Sequence, residues 1–179
     1  MTPSPRDPAI EPDTKDWTWV LARACPECGY DARAVPPHEI GERIRASAQP
    51  WPGVLDDQRA GVRPAAGVWS PLEYAAHVRD VHRVFGERVR SMLACDDPLF
   101  DDWDQDAAAV LGAYGAQHPA TVAGELAAAA EQVGALYDSV TGEQWDRPGR
   151  RGNGSRFTTL TIARYHLHDA EHHLVDVRG

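Results

Sequence analysis

Ser70-Pro71-Leu72-Glu73 opens the longest run of helical periodicity in the chain. A serine in the capping position, a glutamate three residues on that reaches back to it and a proline at the first helical position together mark a helix start, so the helix begins at Leu72 or just before. At ~100° per residue, Tyr74, Val78, Val81, Phe85, Val89 and Met92 share one face, while Arg79, Asp80, Arg83, Glu87 and Arg90 fill the other. An apolar stripe of that length has to be covered by something. Nothing in the chain alternates at period two over a useful length, so the covering surfaces are other helices.

Three further segments supply them. HEIGERIRASAQPWPGVL, after Pro36 and Pro37, is a helix that Pro50 and Pro52 must kink or end. Residues 119–140 form a long alanine-rich helix with Val122, Leu126, Ala129, Val133 and Leu136 inward. FTTLTIARYHLHDAEHHLVDV is the last helix, with Thr158 or Thr159 as its cap. The expected fold is all-α, a four-helix bundle spanning residues 37–179 and preceded by an irregular N-terminal arm, residues 1–36, rich in Pro, Asp and Thr and pinned by Trp17 and Trp19. Between the helices, CDDPLFDDWDQDAAAV turns acidic, breaks at Pro98 and resumes helix, and GEQWDRPGRRGNGS is a polar loop.

A length of 179 residues suits one globular domain. A net charge of -9 with scattered arginines would repel a phosphate backbone, so no nucleic acid is expected as a partner. No stretch reaches the ~20 apolar residues of a membrane span, and the N-terminus has no signal-peptide core, so the protein is expected to be cytoplasmic with no membrane partner. Lys15 is the single lysine in a chain rich in Ala and Arg, a bias usual in high-GC bacterial genomes. Three cysteines, an odd number, argue against a disulfide framework.

Two groups of residues carry chemistry. In the arm, Cys25-Pro-Glu-Cys28 has zinc-knuckle spacing but no second such pair, and Cys95 stands alone. It reads as a tight turn with two thiols or a local redox pair, or as half of a metal site completed by something like His38. In the bundle, His77 falls at the edge of the long helix's apolar face, and His166, His168, Asp169, His172 and His173 crowd into eight residues of the last helix. Two pairs there have the i, i+4 spacing that places ligands over one spot: His168 with His172, and Asp169 with His173. Leu160, Ala163, Leu167, Ala170, Leu174 and Val177 define the apolar face; by that count Asp169 and His173 turn inward with His166 nearby, and His168 and His172 face water. His77 with an inward acid and imidazole pair makes three ligands and leaves a coordination position open, the catalytic pattern for a divalent metal. The competing reading is a satisfied core histidine and a solvated histidine face.

WSPLEYAAHVRDV and LHDAEHHLVDV resemble the DinB-like superfamily, which includes the mycothiol-dependent maleylpyruvate isomerases and related thiol S-transferases. The resemblance covers residues 37–177. It implies a four-helix bundle that holds zinc, or else nickel, through one histidine of the second helix and an i, i+4 pair on the fourth. Carried over, those ligands are His77, Asp169 and His173. Asp169 departs from the family, where that position is histidine or glutamate; it is either a ligand of shorter reach or a group that orients a histidine while His168 or His172 ligates. The implied function is a metal-dependent enzyme acting on a small-molecule substrate, a thiol-dependent S-transferase or isomerase that uses a low-molecular-weight thiol of the mycothiol type. A metal-dependent hydrolase is the second choice within that class, and a non-catalytic metal- or ligand-binding bundle linked to stress is the alternative outside it. Arg79, Arg83 and Arg164 are candidates to greet an anionic substrate, and bundles of this kind often form homodimers.

Overall fold

The structure is a computed structural model that describes Asp7, Ile10 and residues 15–178. Six helices among these residues, α1 (Ile40–Ala48), α2 (Trp51–Leu55), α3 (Pro71–Ala94), α4 (Gln105–Leu111), α5 (Pro119–Asp138) and α6 (Thr159–Asp176), account for most of the fold. The four main ones form a bundle in the order α1, α5, α3, α6 around its axis, so that α1 lies diagonally across from α3 and α5 from α6. Pro50 ends the first helix as its position required, and α2 restarts with Pro52 in its first turn, where a missing N–H costs nothing. Trp51, Ile44, Val81, Val89, Leu126, Val133 and Leu167 fill the centre. Burying each stabilises the fold by about 1.5–3 kcal/mol relative to exposure.

α3 starts where the sequence said it would. Ser70 Oγ accepts from the Glu73 N–H at 3.2 Å, Glu73 Oε2 accepts from the Ser70 N–H at 2.8 Å, and Arg63 clamps the same carboxylate. Thr158 caps α6 through the Thr161 N–H. These two fixed helix starts set the register in which α3 and α6 face each other.

One feature departs from the expectation. Part of the polar loop is a hairpin: β2 (Pro148–Arg151) pairs antiparallel with β3 (Arg156–Thr158), and β1 (Leu99–Phe100) joins β2 in parallel. Gly154 turns the hairpin at φ +94°, and Gly149 lies so close to α3 that a Cβ would sit 2.7 Å from Met92 Cγ. Three- and four-residue strands are too short to show a period. Residues 15–36 of the arm pack against the bundle. Two 3-10 turns, Trp17–Leu21 and Ala32–Ala34, lay Val20, Cys25, Tyr30, Ala32 and Val35 against the bundle. No helix among the described residues is long and apolar enough to cross a membrane.

α1 and α5 meet through glycine. A Cβ on Gly41 would lie 2.7 Å from the Gly134 carbonyl oxygen, a backbone atom that can yield only if the helices part. Gly41→Ala should therefore lower stability by about 1–3 kcal/mol in urea unfolding, despite the ~1 kcal/mol that alanine gains over glycine within a helix. An unchanged or raised midpoint would mean that the two helices can separate freely.

Candidate metal centre

His77 lies about two turns into α3, and Asp169 and His173 stand one turn apart on α6. The register brings them together. His77 Nε2 is 3.5 Å from Asp169 Oδ1, and His173 Nε2 is 3.6 Å from the same oxygen. One ligating atom from each residue lies within 4.8 Å of the others. His77 is 1% exposed, its ring lying parallel to Trp103 at 5.5 Å and tilted against Trp69 at 5.2 Å. Neither His77 nitrogen has a hydrogen-bond partner, and Asp169 Oδ1 has none. Leaving such groups buried and unsatisfied costs about 1–3 kcal/mol each.

The fourth member is Asp176, whose Oδ2 stands 2.8 Å from His173 Nδ1. With Nδ1–H donating there, His173 presents the lone pair of Nε2 to the Asp169 carboxylate. Two acceptors that face each other at 3.6 Å require positive charge between them, either a proton or a cation. Burial alone would push the Asp169 carboxyl up, but the imidazoles of His77 and His173 overcome it and hold the group well below the usual carboxylate range. Burial pushes the His77 imidazole down, which keeps it neutral and able to ligate. The donor set and its unsatisfied atoms fit a divalent cation. Asp169 and His173 also line a cavity of about 250 Å³, bounded by Trp17, Trp69, Tyr74 and Tyr165.

Other expectations fare differently. His168 and His172 do not face water: they are 3% and 7% exposed, covered by the arm through Trp17 and Tyr30. His166 is inward but apart from the triad. Its Nε2 meets His82 Nδ1 at 2.8 Å and its Nδ1 meets Tyr137 Oη at 2.8 Å, a buried chain that joins α3, α6 and α5. His82, five residues beyond His77 on α3, is thus a core residue. His38 is exposed beside Glu39 and joins no cysteine cluster. None of the three arginines lines the cavity. Arg79 is buried against Asp80 and Glu125, Arg83 pairs with the same two acids, and Arg164 donates to the Val35 carbonyl.

A search of curated proteins finds no significant match. Among solved structures, the chain is similar to YfiT from Bacillus subtilis, described as a probable metal-dependent hydrolase with an unusual four-helix bundle topology. The two share 18% identity at a TM-score of 0.65, covering 82% of this chain and 85% of that one. At that identity the likeness establishes the bundle fold alone. The family profile of the DinB superfamily matches residues 40–175, which span all four bundle helices, and the chain belongs to that superfamily.

Proposed function

We propose that the protein is a metal-dependent enzyme acting on a small molecule, with His77, Asp169 and His173 as ligands of one divalent ion, zinc in the first instance. The observation that carries this reading is the convergence of unsatisfied acceptors from α3 and α6 at the edge of a cavity. Three protein ligands leave room for a further one. A divalent ion in that position lowers the pKa of a coordinated thiol or water and so supplies a nucleophile near neutral pH.

The chain's own residues do the rest. Asp176 fixes the tautomer and ring angle of His173, Trp69 and Trp103 keep water off His77, and the aromatic walls give a substrate apolar surface to lie on. Glu27, Asp106 and Asp176 line the cavity, and no lysine or arginine does so among the described residues. Neutral or cationic substrates and a thiol without extra negative charge suit that field better than dicarboxylates do. A low-molecular-weight thiol is the favoured nucleophile on the resemblance to the thiol S-transferases. Hydrolysis is the second reading, favoured by the fold shared with YfiT.

Cobalt(II)-substituted protein separates the two. Added mycothiol should produce a further sulfur-to-cobalt charge-transfer absorption, which His173→Ala abolishes. No spectral change together with cobalt-dependent ester cleavage would select hydrolysis, and no turnover of either kind would leave a binding protein. Asp176→Asn should weaken metal binding at the triad by about 10–100-fold, as expected when a ligand histidine loses its carboxylate partner. Competition with a chromophoric chelator reads this directly.

A further inference from the structure

The arm's two cysteines and the two histidines displaced from the triad occupy one place. We propose that Cys25, Cys28, His168 and His172 form a second, closed zinc site, a Cys2His2 centre that fastens the N-terminal arm to α6. One ligating atom from each residue lies within 4.8 Å of all the others, and Cys25 Sγ stands 3.8 Å from His172 Nδ1. Tetrahedral zinc with bonds of about 2.0–2.3 Å sets ligand atoms about 3.3–3.8 Å apart, so the cluster needs only a small contraction. The spacings agree: two residues between the cysteines, three between the histidines, the latter one turn apart on a helix.

The surroundings are those of a ligand set. Residues 25–30 close a knuckle: the Gly29 N–H donates to the Cys25 carbonyl, the Cys25 N–H donates to the Tyr30 carbonyl, and Gly29 takes the φ of +76° that the turn requires. His172 turns Nε2 toward Glu27, at 3.4 Å, and Asp176, at 3.8 Å, leaving Nδ1 for the metal. His168 Nε2 is buried with no hydrogen-bond partner. Two thiolates and two neutral imidazoles cancel the charge of a zinc ion, which suits a buried place. The protein fills all four coordination positions, so this ion is structural, whereas the triad remains open.

The site has a consequence for the cavity. Trp17 and Glu27 of the arm, with His168 and His172, form one wall of the space beside Asp169 and His173. Asp176 reaches both clusters, through Oδ2 to His173 and Oδ1 toward His172. Zinc in the closed site holds that wall in place.

The test uses untagged, full-length protein in a Cys95→Ser background, with an organomercurial added stepwise and zinc release followed by a chromophoric chelator. One zinc per chain should be released as two thiols, mapped to Cys25 and Cys28, react; the double variant Cys25→Ser/Cys28→Ser should carry one zinc fewer than its parent. Modification of both thiols without zinc release, or a double variant with undiminished zinc, overturns the site. His77→Ala should leave this thiol-released zinc in place, so loss of the triad reading and loss of this one are separable. After zinc release the arm should become sensitive to limited proteolysis while the bundle stays protected; an arm equally resistant with and without zinc overturns its role as the fastening.

Discussion

On the proposed ligand set, alanine at His77 is expected to remove the divalent ion assigned to His77, Asp169 and His173 and to reduce the proposed metal-dependent turnover about 10³-fold. His77 is the triad's one contribution from α3, so without it the remaining donors, Asp169 and His173, are a single i, i+4 pair on α6. A two-ligand site holds a divalent ion far more weakly. An ion acting as a Lewis acid supplies several kcal/mol of stabilisation to a developing charge, at about 1.4 kcal/mol per tenfold in rate. The truncation also leaves a hole between Trp69 and Trp103. His77→Gln, which fills more of that space while lacking an imidazole, serves as the control for folding: it should keep the parent's circular dichroism yet lose the metal. Elemental analysis of protein purified without a metal-affinity tag decides the matter, since surface histidines would otherwise collect column nickel. A His77→Ala variant that retains the parent's full metal content would make His77 a core histidine and end the α3 assignment.

The bundle was legible because its signals are local and redundant. The capping box at Ser70, the 3.6-residue stripes of α3 and α5 and the proline breaks all act within one element, and tertiary contacts had no reason to override them. The convergence of His77 with Asp169 and His173 was legible for the same reason, since facing on two helices predicts which residues can meet. The surroundings of His168 and His172 were not. Helical periodicity reports orientation toward the bundle axis, and those two do point away from it; what covers them is an arm more than 130 residues earlier, whose course no local pattern encodes. The sequence therefore held both halves of a Cys2His2 set, CxxC and HxxxH, without the packing that joins them. Arg79 shows a related limit. It lies on the charged face, yet Asp80, Glu125 and Tyr114 enclose it, because ionic partners allow burial that hydrophobicity would forbid. The β2–β3 hairpin escaped because its strands are shorter than any window in which alternation can be recognised.

Acidification from pH 7 to pH 4.5 is expected to destabilise the metal-free protein progressively through its buried neutral histidines, His77, His168 and the His82–His166–Tyr137 chain, before the carboxylates titrate. Burial pushes the His82 imidazole down to about 4, and burial together with the neighbouring His82 pushes His166 well down also. The unfolded chain takes up a proton at each near pH 6.5, while the folded chain does not. Below that pH the unfolded state binds more protons, so stability falls with falling pH and goes on falling until His82 titrates in the folded protein near 4. At about 1.4 kcal/mol per unit, His82 alone accounts for roughly 3 kcal/mol across this window. Asp80 and Asp169 act lower: their folded carboxyls lie below the ordinary value of 3.8, so the stability they contribute is lost only beneath it. Urea midpoints measured at half-unit steps in the presence of a chelator isolate the histidine window, since metal release would otherwise add its own proton uptake. His82→Gln keeps a side chain able to hydrogen-bond His166 but unable to take a proton, and it should remove about 3 kcal/mol of the drop between pH 6.5 and pH 4. The same slope in parent and variant would show that His82 is protonated in the native core, and the buried chain would then be a charged one.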